Sequence, residues 1–304
     1  VQRDTASLWR IVKAAFKDFD ADDCGLRAAA LAYYTVFALP PLLILLVMVV
    51  GLIWSPDQVA SALERQFAGL IGPAGAQQAQ QIIAHGQNAA GGGRLAAVWS
   101  IVGIILGATG FFLGLQDALN QVWKVKPDPA RGGVKQFLGK RLLSAGMVLG
   151  LGFLLAVSLA LTAAIAAIGG MIGGSLGAPL LEAINQLASL AALTLLFAAL
   201  YKVLPDAEIA WRDVWVGAAA TAVLFEAGKF IIGLYLGFSK PGDAFGAASA
   251  LAVVLVWVYY SVMMLLLGAE FTREWATQRG RGIEPEEGAV RVVQHEQLIR
   301  PNER

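Results

Sequence analysis

Residues 245–271 read FGAASALAVVLVWVYYSVMMLLLGAEF, and no charge interrupts them before Glu270. A helix of this length, rising about 1.5 Å per residue, crosses the ~30 Å hydrocarbon core of a bilayer. Five further runs of the same kind lie upstream, at about 28–54, 95–122, 142–168, 180–204 and 214–236. The fold expected is therefore all-α, a polytopic membrane protein with six transmembrane helices.

Composition agrees. Of 304 residues, 57% are hydrophobic and 15% charged, and the mean hydropathy is +0.64. The apolar residues form long blocks almost without charge, which need an apolar solvent. A net charge of +1 argues against nucleic acid as a partner, since a dedicated binder needs a basic stripe. The single Cys24 excludes an internal disulfide, and His85 and His295 are too far apart for a zinc-ligand spacing. No metal and no cofactor are expected, and no phosphate-binding G-x-x-x-x-G-K-[ST] loop occurs. The first apolar block is too long for a signal h-region, so no cleavable signal peptide is expected.

Three units follow. Residues 1–26 form a cytoplasmic amphipathic interfacial helix: Leu8, Trp9, Ile11, Val12, Ala15, Phe16 and Phe19 recur at helical spacing, opposite Arg10, Lys13, Lys17 and Asp18. Residues 27–276 form the transmembrane domain. Residues 277–304 have too few apolar positions for a core and read as a flexible cytoplasmic tail. In the first outer segment, Val59, Leu63, Phe67 and Leu70 mark short surface helices. Pro40 and Pro41 kink the first span by removing N–H donors. Gly103, Gly107, Gly110 and Gly114 fall along one side of the second, where another helix can pack closely.

Orientation follows from Lys and Arg near the span ends. Arg3, Arg10, Lys13, Lys17 and Arg27, then Lys124, Lys126, Arg131, Lys135, Lys140 and Arg141, then Lys202 and Arg212, then six arginines after the last span all fall on one side. Only Arg65, Arg94 and Lys240 fall on the other. Cations concentrate on the cytoplasmic side, so both termini are expected there, in a bacterial inner membrane.

Several blocks carry a resemblance. Arg27 to Thr35 (RAAALAYYT) leading to Pro40-Pro41, Gln116 to Trp123 (QDALNQVW), Leu200 to Pro205 (LYKVLP) with Trp211-Arg212, Gly217 to Tyr235 with Glu226 and Lys229, and Trp257 to Glu270 resemble the YihY/BrkB family of bacterial inner-membrane proteins. The resemblance runs from the first span to Glu270. It implies six membrane helices and a virulence association. The family has also carried the label ribonuclease BN, but a nuclease gathers carboxylates or histidines around metals in water, and this sequence has no such cluster. No enzyme is expected.

Ionisable residues inside spans are costly unless paired, which makes them functional candidates. Glu226 and Lys229 stand three apart on the fifth span and share a face. They read either as a proton- or substrate-linked site or as a structural contact with Lys229 snorkelling outward. Arg27, Asp117, Asn120, Glu270 and Arg273 lie at the cytoplasmic ends of three spans, as a gate or as a static staple. Tyr33 shares the kinked first helix with the freed carbonyls and joins the pathway candidates. Three functions follow: a transporter or flippase of a lipid or other envelope component, a proton- or cation-coupled antiporter, or a non-transporting envelope-assembly scaffold. The first is preferred because the charges are too sparse for an aqueous ion pore. The expected partners are membrane lipids, with a homo-oligomer or envelope proteins also compatible.

Overall fold

Charge and chain reversal set where the helices stop. In the computed structural model, which describes residues 2–36, 110–128, 177–239, 249–279 and 282–293 with positions 55 and 61, α1 (Gln2–Ala21) ends at an aspartate pair. Asp22 N donates to Asp18 O and Asp23 N to Asp20 O. Asp23 takes a left-handed conformation (φ 53°), which a short polar side chain tolerates. The chain re-enters helix as α2 (24–36).

Helix α1 is amphipathic as its spacing implies. Ile11 and Ala15 are buried, whereas Trp9 and Phe16 are exposed, and the helix packs on α6 (Ser249–Gln278). Helix α3 (110–122) ends at Lys124, also left-handed, and passes into β1 (Val125–Pro127).

The helices α4 (Gly177–Val203), α5 (Trp211–Ser239) and α6 contain the three segments, among the described residues, long and apolar enough to span a membrane: Gln186–Val203, Trp211–Ile232 and Leu251–Gln278. They pack in sequence, α4 on α5 and α5 on α6. Pro205 forbids continuation of α4. Asp213 lies in the first turn of α5, where its charge suits the helix dipole.

At the α5–α6 crossing two glycines face two threonines. A Cβ on Gly217 would lie 2.6 Å from Thr272 Cβ, and one on Gly268 would lie 2.7 Å from the Tyr201 hydroxyl and 2.8 Å from Thr221 Cβ. Both threonines return their hydroxyls to their own helices, Thr221 to Gly217 O (2.7 Å) and Thr272 to Gly268 O (2.6 Å). Tyr201 donates to Leu265 O (2.7 Å) and stands 2.9 Å from the Thr221 hydroxyl, whose single proton serves either Gly217 O or the Tyr201 oxygen, so all three helices meet in one polar knot. Around it, Leu31, Leu119, Val122, Leu204, Val214 and Leu266 are fully buried.

The expected flexible tail is structured over the residues described. Strand β4 (Ala289–Arg291) pairs antiparallel with β1 in the register Val125↔Arg291, Lys126↔Val290 and Pro127↔Ala289. Strand β3 (Glu284–Pro285) pairs with β2 (Ala207–Glu208). Few apolar residues are needed for this, because backbone groups supply the bonds. Pro40, Pro41, Gly103, Gly107, the third span and the outer surface helices lie outside the described residues.

Candidate functional site

Among the described residues, two polar groups stand in or beside the spans. The first is centred on Glu226 of α5. Lys229 Nζ donates to Glu226 Oε1 (2.8 Å) and lies 2.7 Å from Oε2. Helix α4 adds two contacts: Ser189 Oγ donates to Oε1 (3.3 Å) and Gln186 Nε2 reaches Oε2 (3.5 Å). Their spacing of three residues puts both on the α4 face that meets α5. The carboxylate is thus fully engaged and still open at one side, since the Glu226 side chain is 15% exposed and that of Lys229 29%. Val223 and Phe230 stand exposed nearby on the same helix. Sequence reading finds the pair but not Gln186 and Ser189, which stand among other polar residues of the same run (Glu182, Asn185, Thr194), so spacing alone does not single them out.

The second group joins the α1–α2 turn to the ends of α3 and α6. Asp22 is bonded by Lys124 and by Gln121 Nε2 (3.3 Å). Arg273 is paired with Asp18 and lies 3.0 Å from Glu270 and 3.5 Å from Glu274. Arg27 donates to Asp22 O (3.1 Å), and the Cys24 thiol lies 3.9 Å from Glu270 Oε1. Burial, then the carboxylates of Glu270 and Asp22, push the Cys24 thiol from 9.0 up to about 12.

Of the five residues expected to converge at this end, Arg27, Glu270 and Arg273 do. Asn120 turns instead to Asp206, beside Gln116, which donates to Asp206 Oδ1 (3.1 Å). Asp117 is exposed, as is Tyr33, whose ring stands edge-on to Tyr34 at 6.1 Å. Sequence reading does not place Asp18, Asp22, Gln121 and Lys124 in this group: the three charged residues sit outside the apolar runs, where charge is ordinary, and Gln121, at the end of the second run, carries no charge to mark it. Of the two described glycines in the second-span stripe, a Cβ on Gly114 would lie 3.1 Å from Leu31 Cδ2, whereas one on Gly110 would meet nothing within 4 Å.

A third feature is an open cavity of about 320 Å³ lined by Lys202, Glu208, Trp211 and Glu284 among others. Its lysine already donates to Ile209 O (2.8 Å).

Among known families, the one described as Virulence factor BrkB has a sequence model that matches residues 15–291. A UPF0761 membrane protein of Azotobacter vinelandii is 29% identical over 285 residues, covering 91% of this chain and 65% of its own. Others are found in Alcanivorax borkumensis (29% identical, 86% and 60%) and Stenotrophomonas maltophilia (30% identical, 84% and 58%). The chain therefore spans 58–65% of the length of these relatives. No solved structure matches it.

Proposed function

This chain belongs to the BrkB virulence-factor family, and from that premise we propose that it is a six-span inner-membrane protein that moves a lipid or other amphipathic envelope component between leaflets. The excess of Lys and Arg in alternate hydrophilic segments supports cytoplasmic termini. The observation that carries the transport reading is Glu226. A carboxylate inside an apolar span, tied by Lys229 on its own helix and by Gln186 and Ser189 on α4, stays partly accessible beside exposed apolar side chains. Such a place offers a polar headgroup exchangeable hydrogen-bond partners while its acyl chains stay in hydrocarbon.

In this reading the group around Asp22 and Glu270 is the inner gate. The Asp18–Arg273 pair joins α1 to α6 and the Asp22–Lys124 pair joins the α1–α2 turn to the end of α3, so opening must separate them. Transport rather than covalent chemistry is the activity proposed.

The test is leaflet exchange of labelled lipids in vesicles containing the purified protein. Acceleration is expected, with loss in Glu226→Ala and a change in Arg27→Ala. No acceleration across several lipid classes, including anionic and zwitterionic headgroups, overturns the proposal.

A further inference from the structure

Helix α1 divides its large apolar side chains between two faces. Ile11, Ala15 and Phe19, each four residues from the next, share the side turned into the protein: the first two are buried and Phe19 packs against the core. Trp9, Lys13, Phe16 and Asp20, spaced four, three and four apart, form another side. Packing against α6 leaves that side uncovered, with Trp9 70% and Phe16 57% exposed. Two bare aromatic rings on one helix face are the kind of apolar patch that marks an interaction surface.

The place of α1 and its charge say what covers the patch. Asp18 pairs with Arg273, near the end of the α6 span Leu251–Gln278. Charge is costly in hydrocarbon, so this pair marks the level of the lipid headgroups, and Phe16, two residues before Asp18, is held close to it. Along residues 8–20 the exposed charges are Arg10, Lys13 and Lys17 against Asp20 alone, since Asp18 is engaged by Arg273 and only partly exposed. Aromatic rings settle at the boundary between hydrocarbon and water. Each lysine or arginine beside an anionic leaflet favours attachment about fivefold.

We propose that the outer face of α1 docks on anionic phospholipid of the adjoining leaflet, Trp9 and Phe16 entering the headgroup layer while Lys13 and Lys17 face its phosphates. The attachment fastens the segment that carries Asp18 and so bears on where α1 stands against α6. It holds whether or not the protein moves lipid.

Hydroxyl-radical footprinting read by mass spectrometry reports water access at Trp9 and Phe16 separately, in the unaltered full chain at one copy per nanodisc, with a soluble dye to normalise the radical dose. Oxidation of both should be at least about fivefold slower in discs of equal phosphatidylcholine and phosphatidylglycerol than in discs of phosphatidylcholine alone. Raised salt should reverse much of that difference. Lys13→Gln combined with Lys17→Gln, both at exposed positions, should keep the thermal midpoint and lose most of the difference. Equal oxidation in the two lipid compositions overturns the proposal: fast in both, the face stands in water; slow in both, it is covered without regard to lipid charge. Slowing that appears only with two copies per disc assigns the face to a second copy of this chain and overturns it as well. Should the lysine variant fail to fold, the comparison in the unaltered chain decides.

Discussion

Asn120 and Asp206 exchange two hydrogen bonds across 86 residues of sequence: Asn120 Nδ2 donates to Asp206 Oδ2 and Asp206 N donates to Asn120 Oδ1, both at 2.8 Å. This side-chain amide acts as a template for the turn after α4. Asn120→Ala leaves Asp206 N–H without its acceptor, at a cost of about 1–3 kcal/mol for a buried polar group. Asn120→Asp should cost more, since it sets carboxylate against carboxylate. Asp117→Ala, at an exposed position, should shift the thermal midpoint in detergent far less than either. Equal shifts would mean that the pairing does not hold the turn.

The α5–α6 crossing makes a second contrast. Gly217→Ala and Gly268→Ala push a methyl group into Thr272 or into Tyr201 and Thr221, and overpacking of this kind costs about 1–3 kcal/mol. Gly110→Ala meets open space and should be neutral or slightly stabilising through helix propensity. Midpoints for the three variants, measured in the same detergent, check the ranking.

These contrasts mark what could be read from residues alone. The apolar runs at 180–204, 214–236 and 245–271 announce helices, because a bilayer imposes length and apolarity on any span. Glu226 and Lys229 stand out for the same reason, being charges where charge is expensive. Packing partners are a different matter. Gly217 and Gly268 are single glycines without a repeating stripe, and their closeness to threonines depends on how α5 and α6 cross. The β-pairing of residues 284–285 and 289–291 is not legible in the sequence, because it draws on backbone groups, which leave no mark in hydropathy. Asp22 and Lys124 were overlooked because charges in a connecting segment are ordinary until the fold buries one of them.

At the Glu226–Lys229 pair, removing one partner should hurt more than removing both. Glu226→Leu strands an ammonium in an apolar span, whereas Glu226→Leu with Lys229→Met leaves no charge behind. The single change is expected to cost about 2 kcal/mol, less than the ~3–5 kcal/mol of a fully buried pair because Lys229 stays 29% exposed. The double variant should recover part of that loss. Additive losses in a double-mutant cycle would show that the pair is not coupled.

The paired tail predicts a local effect of truncation. Asp128 N donates to Gly288 O (2.9 Å), Glu286 N to Asp206 O (3.0 Å) and Val292 N to Lys124 O (2.8 Å). Ending the chain at residue 281 removes the partners of β1 and β2. Amide exchange at Asp128 should then accelerate by more than tenfold, while amides in the middle of α6 stay protected. Unchanged protection at Asp128 would mean that the strands contribute nothing to order there.

Cys24 gives a pH dependence whose sign is fixed by its surroundings. Burial, with the carboxylates of Glu270 and Asp22, raises the thiol from 9.0 to about 12 in the folded chain. The unfolded thiol ionises first, so the folded state binds the proton more tightly above pH 9. The contribution of this group to stability is therefore complete below about pH 9 and is lost as pH rises toward 12. Cys24→Ala lacks the titration but loses some packing. Its thermal midpoint should lie below that of the unaltered protein at pH 7, and the gap should close as pH rises from 9 to 11, whatever other groups titrate in common. A gap that stays constant across that range would show that the thiol ionises as freely in the folded chain as in the unfolded one.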